Sequence, residues 1–231
     1  MPFHPLIDQG YFVTSVPEHE GEFRHVFYGA QQVPVADCPN CEKPLIRYFQ
    51  LDTTDPRLGC TDAPTEFLPL LYCWSCKIPT FPFSYRILPA CGVEFLMYAV
   101  GKAKAIYENY PEAFPPSGVK LIALTERQQA LIHRGNKEEY DDWVTPDLYG
   151  ELDEIFANDY QIGGEPQLTQ TPWERAWRAT LCPLCLDEMP FLASFYDANL
   201  DPRGFSGEDT VQVVFTYCPK CHVVSAQHQC D

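Results

Sequence analysis

Basic residues are scarce in this chain. Lysine and arginine together number 16 against 32 aspartates and glutamates, giving a formal charge of −16. Neutralising phosphates takes clustered Lys and Arg, so no nucleic-acid partner is expected, and electrostatic steering favours a basic protein instead. Long apolar runs are also missing. The longest, such as Phe95-Leu96-Met97-Tyr98-Ala99-Val100, are far too short to span a bilayer, so no membrane segment is expected. The opening residues, Met1-Pro2-Phe3-His4-Pro5, carry neither the basic nor the apolar block of a signal peptide, which points to the cytoplasm. Several catalytic signatures are absent too: no Gly-x-Ser-x-Gly elbow, no phosphate-cradling Gly-x-x-x-x-Gly-Lys and no dinucleotide fingerprint. In His19-Glu20-Gly21-Glu22-Phe23-Arg24-His25 the histidines have the wrong spacing for a zinc-peptidase helix, and both read as exposed polar residues.

What is present is a globular composition rich in turns and cysteine. The 231 residues are 45% hydrophobic and 14% aromatic, enough for a packed core. Prolines number 22, well above the usual ~5% share, so strands, turns and short helices should dominate over long helices. Of 11 cysteines, eight fall into four Cys-x-x-Cys pairs: Cys38/Cys41, Cys73/Cys76, Cys182/Cys185 and Cys218/Cys221. Two such knuckles separated by about thirty residues can close over one tetrahedral ion, each giving two thiolates from a tight turn. Pro39, Pro183 and Pro219 follow the first ligand and fix its turn. The pattern predicts two structural Zn²⁺ ribbons, Cys38 to Cys76 and Cys182 to Cys221. A disulfide framework fits poorly with an odd count, and a redox Cys-x-x-Cys would occur once. An iron centre stays open, since four thiolates suit iron as well. A filled sphere of four thiolates leaves no position for substrate, so these sites should fold the chain and catalyse nothing.

The chain also repeats. Cys38-Pro-x-Cys41 matches Cys182-Pro-x-Cys185, Asp55-Pro56-Arg57 matches Asp201-Pro202-Arg203, and Tyr72-Cys73-x-x-Cys76 matches Tyr217-Cys218-x-x-Cys221. Strand-like segments recur between knuckles, at 45–51 and 67–72 in one copy and 191–196 and 211–217 in the other. The Asp-Pro-Arg triplets should turn the chain at the strand tips. Between the ribbons come helices: Thr125 and Gln128 form a capping box for a helix to about His133, and Thr145-Pro146 and Thr171-Pro172 start two more. Trp173 and Trp177 share a face of the last. The expected fold is α+β, mainly antiparallel β, in two pseudo-repeated lobes. Residues 1–134 form an N-terminal lobe with the first ribbon and a helical extension; residues 135–231 form a C-terminal lobe with the second. A hinge is expected at 135–142.

Candidate partner-binding residues are the acidic run Glu138, Glu139, Asp141 and Asp142 with the neighbouring Trp143, a docking face for Lys and Arg. A solvated loop and core packing of the aromatic residues are the plainer alternatives. Cys60 and Cys91 read as buried structural thiols, His222 as a neighbour of the Cys221 ligand, and His228 with Cys230 as a labile extra site or none.

One stretch carries a family likeness. Ile162-Gly163-Gly164-Glu165-Pro166, Gln170, Cys182-Pro-x-Cys185, Met189-Pro190-Phe191-Leu192 and the strand into Cys218-Pro-x-Cys221 resemble the YwqG-like family, which is related to the programmed cell death protein 2 group. The resemblance spans about residues 147 to 231. In the first half, Tyr28-Gly29-Ala30 through Val33-Pro34 looks like a degenerate Gly-Gly-x-Pro. The resemblance implies a duplicated antiparallel β fold with flanking helices. It also implies a chaperone role for a basic ribosomal protein, as in eukaryotic relatives, or toxin immunity, as the settings of some bacterial relatives suggest. The expected function is therefore a non-enzymatic, zinc-stabilised protein-binding module for a basic client. The alternative is an enzyme with its pocket between the lobes.

Overall fold

A computed structural model of the chain describes residues 8–21, 23–29, 36–73, 83–98, 115–138, 140–158, 160–167, 181–196 and 211–230. Among the described residues, eleven strands make one antiparallel sheet: β1 (Gly10–Val16), β2 (Val26–Phe27), β3 (Ile46–Asp52), β4 (Phe67–Tyr72), β5 (Phe83–Leu88), β6 (Gly92–Met97), β7 (Ser117–Ala123), β8 (Tyr160–Gly163), β9 (Phe191–Tyr196), β10 (Val211–Cys218) and β11 (Val223–Cys230). Their order is β4-β3-β2-β7-β1-β8-β9-β10-β11-β5-β6. Three helices, α1 (Glu126–Lys137), α2 (Tyr140–Trp143) and α3 (Tyr149–Phe156), lie between β7 and β8 in the chain. The mainly antiparallel β fold matches the expectation, and β3, β4, β9 and β10 fall where the alternation puts them.

The sheet curls into a half-barrel around aromatic residues. Tyr48 on β3 meets Phe195 on β9 and Phe215 on β10 at ring separations of 6.0 and 6.2 Å, although β3 and β9 are five places apart in the sheet. Phe27 and Phe49 reach the same Phe195 ring at 6.0 and 5.7 Å. Tyr48, Phe49, Phe195 and Phe215 are fully buried, and burying each ring contributes on the order of 2–3 kcal/mol. The curl brings the sheet's two ends together through one hydroxyl. Tyr85 on β5 donates to the Pro69 carbonyl at 2.9 Å and accepts from the Leu71 amide at 2.8 Å, both on β4. Tyr85→Phe leaves that buried amide and carbonyl without this partner and should lower stability by about 1–3 kcal/mol, read as a shift in denaturant midpoint with unchanged slope.

The helices cover the opposite face. On β1, Val13 points into the barrel core while Phe12, one residue before it, packs with Leu131, Ile132, Leu152 and Ile155 of α1 and α3. Helix α1 begins with the expected capping box: Thr125 Oγ1 accepts from the Gln128 amide, and Gln128 Oε1 accepts from the Thr125 amide. It runs past His133 to Lys137, so the expected 134/135 boundary falls inside a helix and the first part of the expected hinge is helical. Buried Asn136 explains the extension, since its amide donates to the Pro166 carbonyl at 2.7 Å and to Glu165 Oε1 at 3.2 Å. The two halves share a single sheet. Strand β1 of the first half pairs with β8 of the second, and β11 of the second half pairs with β5 of the first, so each supplies hydrogen-bond partners to the other half. The third expected helix, with Trp173 and Trp177, lies outside the described residues.

Candidate metal centres

Each cysteine centre starts from a backbone turn. At Cys182 the amide donates to the Asp187 carbonyl at 2.8 Å, and the Leu186 amide donates back to the Cys182 carbonyl at 2.9 Å. Leu181 and Glu188 bridge its base. The first knuckle repeats this 144 residues earlier. Cys38 donates to Lys43 O at 2.8 Å, Glu42 to Cys38 O at 2.9 Å, and Asp37 bridges Pro44. Even the left-handed residue recurs, Glu42 at φ 59° and Leu186 at φ 63°.

Strands bring the second knuckles to the first. Cys218 ends β10, and the turn beyond it carries Cys221 before β11 begins at Val223. The thiols of Cys182, Cys185, Cys218 and Cys221 all lie within 4.8 Å of one another. Cys38, Cys41 and Cys73 gather in the same way, and Cys76 lies outside the described residues. The Sγ separations are 3.6 Å for Cys41–Cys73 and 3.7 Å for Cys185–Cys218, far beyond a disulfide bond. A tetrahedron with metal–sulfur bonds of about 2.3 Å has edges of about 3.8 Å, so this spacing fits four thiolates around one ion. Two cysteine groups able to hold a metal are thus present.

The sulfur electrostatics show what a cation would relieve. Burial opposes ionisation of Cys182, yet the amides of Cys185 and Leu184 outweigh it and hold this thiol below its ordinary range. Burial pushes the Cys218 thiol up to about 12, with the Cys221 amide opposing. Without a cation the cluster holds negative charge unequally; a dication stabilises all four thiolates together. His222 is a neighbour rather than a member: its Nδ1 lies 3.0 Å from the Tyr217 hydroxyl, and its carbonyl accepts from the Ile87 amide of β5 at 2.8 Å. Cys60 stands apart, its thiol donating to Leu58 O at 3.2 Å and pushed by burial up to about 12, too high for a nucleophile at neutral pH. The side chains of Cys91, His228 and Cys230 lie outside the described residues.

A polar cluster that the sequence did not reveal lies between β3 and β4. His25, read as exposed, is 1% exposed, with Nε2 2.9 Å from Asp55 Oδ2 and Nδ1 accepting from the Asp52 amide at 2.9 Å. The Nδ1 contact places the ring proton on Nε2, facing Asp55. Asp55 is fully buried and also takes the Arg57 amide and guanidinium, at 2.9 and 2.8 Å. Burial raises its pKa, but His25 and Arg57 outweigh that and bring the carboxyl down to about 2. Asp55-Pro56-Arg57 does turn the chain between β3 and β4, as a short 3-10 segment capped by the buried Asp55. Its recurrence at Asp201-Pro202-Arg203, outside the described residues, was the available signal. A cleft of about 500 Å³ opens beside it, lined by Glu18, Phe23, Arg24, His25 and Asp52, all from the N-terminal half. Both His25 nitrogens are engaged, so the His–Asp pair braces the fold and has no free nitrogen to act as a base.

The acidic candidates divide. Glu138, Asp141 and Asp142 are exposed, Glu138 pairing with Arg134 at 3.0 Å, while Glu139 lies outside the described residues. Trp143 is 5% exposed, packed in the helical cluster with the Arg134 guanidinium 5.1 Å over its ring. A partner cannot reach this indole, so it supports the acidic face from beneath. The Gly-Gly-x-Pro segment forms the expected fixed turn. Gly163 and Gly164 have φ of 63° and 68°, and a Cβ at Gly164 would sit 2.7 Å from the Gly10 Cα. Tyr28 and Gly29 show the same left-handed pair, at 54° and 82°.

No helix among the described residues is long and apolar enough to cross a membrane. Compared with known proteins, the chain matches no family model, no curated protein and no solved structure.

Proposed function

We propose that this chain is a zinc-stabilised, non-enzymatic protein-binding module that holds a basic protein client in the cytoplasm, as a chaperone or immunity protein. The observation that carries the reading is the second centre, where four thiolates gather around room for one ion and leave no open coordination position. Zinc suits such a set because it needs no redox partner and accepts tetrahedral sulfur. A multi-iron cluster would hold its cysteines around several metal atoms, and these thiols lie too close together for that. The excess of 16 negative charges supplies long-range attraction for a lysine- and arginine-rich surface, and a site of four thiolates with one dication adds to it.

The YwqG-like kinship belongs to the same proposal, and so does duplication. Read outward from its β7–β1 centre, the strand order pairs β1 with β7, β2 with β8, β3 with β9 and β4 with β10. Two copies that each lend their first strand to the other would give this order, with two repeat units in one sheet instead of side by side. Affinity capture from the native cell at low salt, with mass spectrometry and a no-bait control, tests the function. One reproducible basic protein released by raising salt is expected. A purified chain carrying no zinc, or a captured set with no basic protein in it, would overturn the reading.

A further inference from the structure

The two equivalent knuckles differ on their outer surface, and the difference is chemically one-sided. Where the first carries Asp37, Asn40 and Glu42, the second carries Leu181, Leu184 and Leu186, each 144 positions on. The backbone bonds are the same in both, so this turn does not require leucine at those positions. Nor does burial account for them: Leu181, Leu184 and Leu186 are 55%, 47% and 71% exposed. Leu186 is also left-handed at φ 63°, a conformation that costs a branched side chain more than the asparagine or glycine usual there. Exposure and a left-handed backbone thus fall on one residue. Three large exposed aliphatic side chains lie within one six-residue turn, followed directly by the exposed Asp187 and Glu188.

We infer that the second knuckle is a docking site for a lysine-rich protein segment bearing aliphatic anchor residues. The inference rests on the basic-client reading and locates the contact. Charge selects the occupant. A second copy of this chain would bring its own −16 charge against the first, whereas a cationic segment is drawn in and its Lys side chains meet Asp187 and Glu188. Aliphatic anchors on that segment then cover the leucines. Asp187 already pairs with Lys220 at 3.1 Å, an exposed contact that an incoming lysine can replace.

The test uses the full chain with two labelled peptides of equal positive charge, one alternating Lys with Leu and one alternating Lys with Ser, in fluorescence anisotropy at low salt. The Lys/Leu peptide should bind at least tenfold tighter than the Lys/Ser peptide. Leu181→Asp with Leu184→Asn and Leu186→Glu, which copies the first knuckle, should remove that advantage while metal content and melting temperature stay at wild-type values. If the triple variant loses metal, Leu186→Glu alone decides, with a threefold or greater loss expected. Equal binding of both peptides, unchanged by these variants, would overturn the knuckle site and leave the basic-client reading standing. Binding of neither peptide would overturn both. Concentration-dependent dimers of the wild type that vanish in the variant would overturn the proposal in favour of a second copy.

Discussion

With a metal held by the second centre, as proposed, Cys182→Ser is expected to release it and to unfold the β9–β11 side of the sheet, leaving mostly insoluble protein. Cys182 is fully buried and its centre ties the end of β10 to the start of β11. That hairpin in turn joins β9 to β5, so its loss separates β5 and β6 from the rest of the sheet. Structural zinc contributes on the order of 10 kcal/mol in small zinc domains, comparable with the whole stability of an ordinary fold. Metal content and thermal melting of whatever soluble protein forms would check this, with Cys60→Ser as the control. Cys60 belongs to neither cysteine group, so its variant should keep full metal content. Removal of metal from the wild type by a strong chelator should give the same loss of β structure. A soluble Cys182→Ser chain with unchanged melting would mean that the centre does not hold the fold.

The second large effect is expected at Asp55. Removing its carboxylate in Asp55→Ala takes the partner from His25 Nε2 and from the Arg57 guanidinium, both bound to Asp55 within 3 Å. Breaking a buried charged network of this kind costs about 3–5 kcal/mol. The same group gives stability a definite pH dependence. Its folded pKa of about 2 lies below the ordinary 3.8, so the folded state favours the carboxylate. The contribution is present above pH 3.8 and is lost as pH falls toward 2; the shift corresponds to about 2–3 kcal/mol. Urea midpoints at pH 7, 5, 4 and 3 should fall in the last steps for the wild type and much less for Asp55→Ala. Parallel pH curves for the two proteins would show that another carboxylate dominates acid unfolding.

Local signals carried much of this fold into the sequence. Cysteine knuckles bracket β3–β4 and β9–β10, alternation marks the strands, and Thr125 with Gln128 marks the start of α1. What remained hidden depends on residues distant in sequence. The end of α1 is set by Asn136 reaching Glu165 and Pro166 across about thirty residues. His25 looks like a surface residue amid Glu18, Glu20, Glu22 and Arg24; only Asp55 and the Asp52 amide, brought up by β3, draw it inside. Trp143 beside its acidic run is open to two readings, partner anchor or core residue, and the cluster that buries it includes Phe12, on a strand more than 100 residues earlier. The leucines beside the second knuckle were visible as letters, but their exposure and the left-handed Leu186 needed coordinates.

The pairing of β1 with β8 has a bearing on how the protein is made. Gly10 pairs with Gly163, so β1 cannot complete its pairing from residues 1–134. At 5–20 residues per second, a ribosome needs on the order of 8–30 s to pass from β1 to β8. Through that interval the nascent N-terminal half carries an open β1 edge, with Phe12 and Val13 uncovered. Its final structure is settled late in translation, and any factor that shields nascent β edges would meet this chain before β8 to β11 exist.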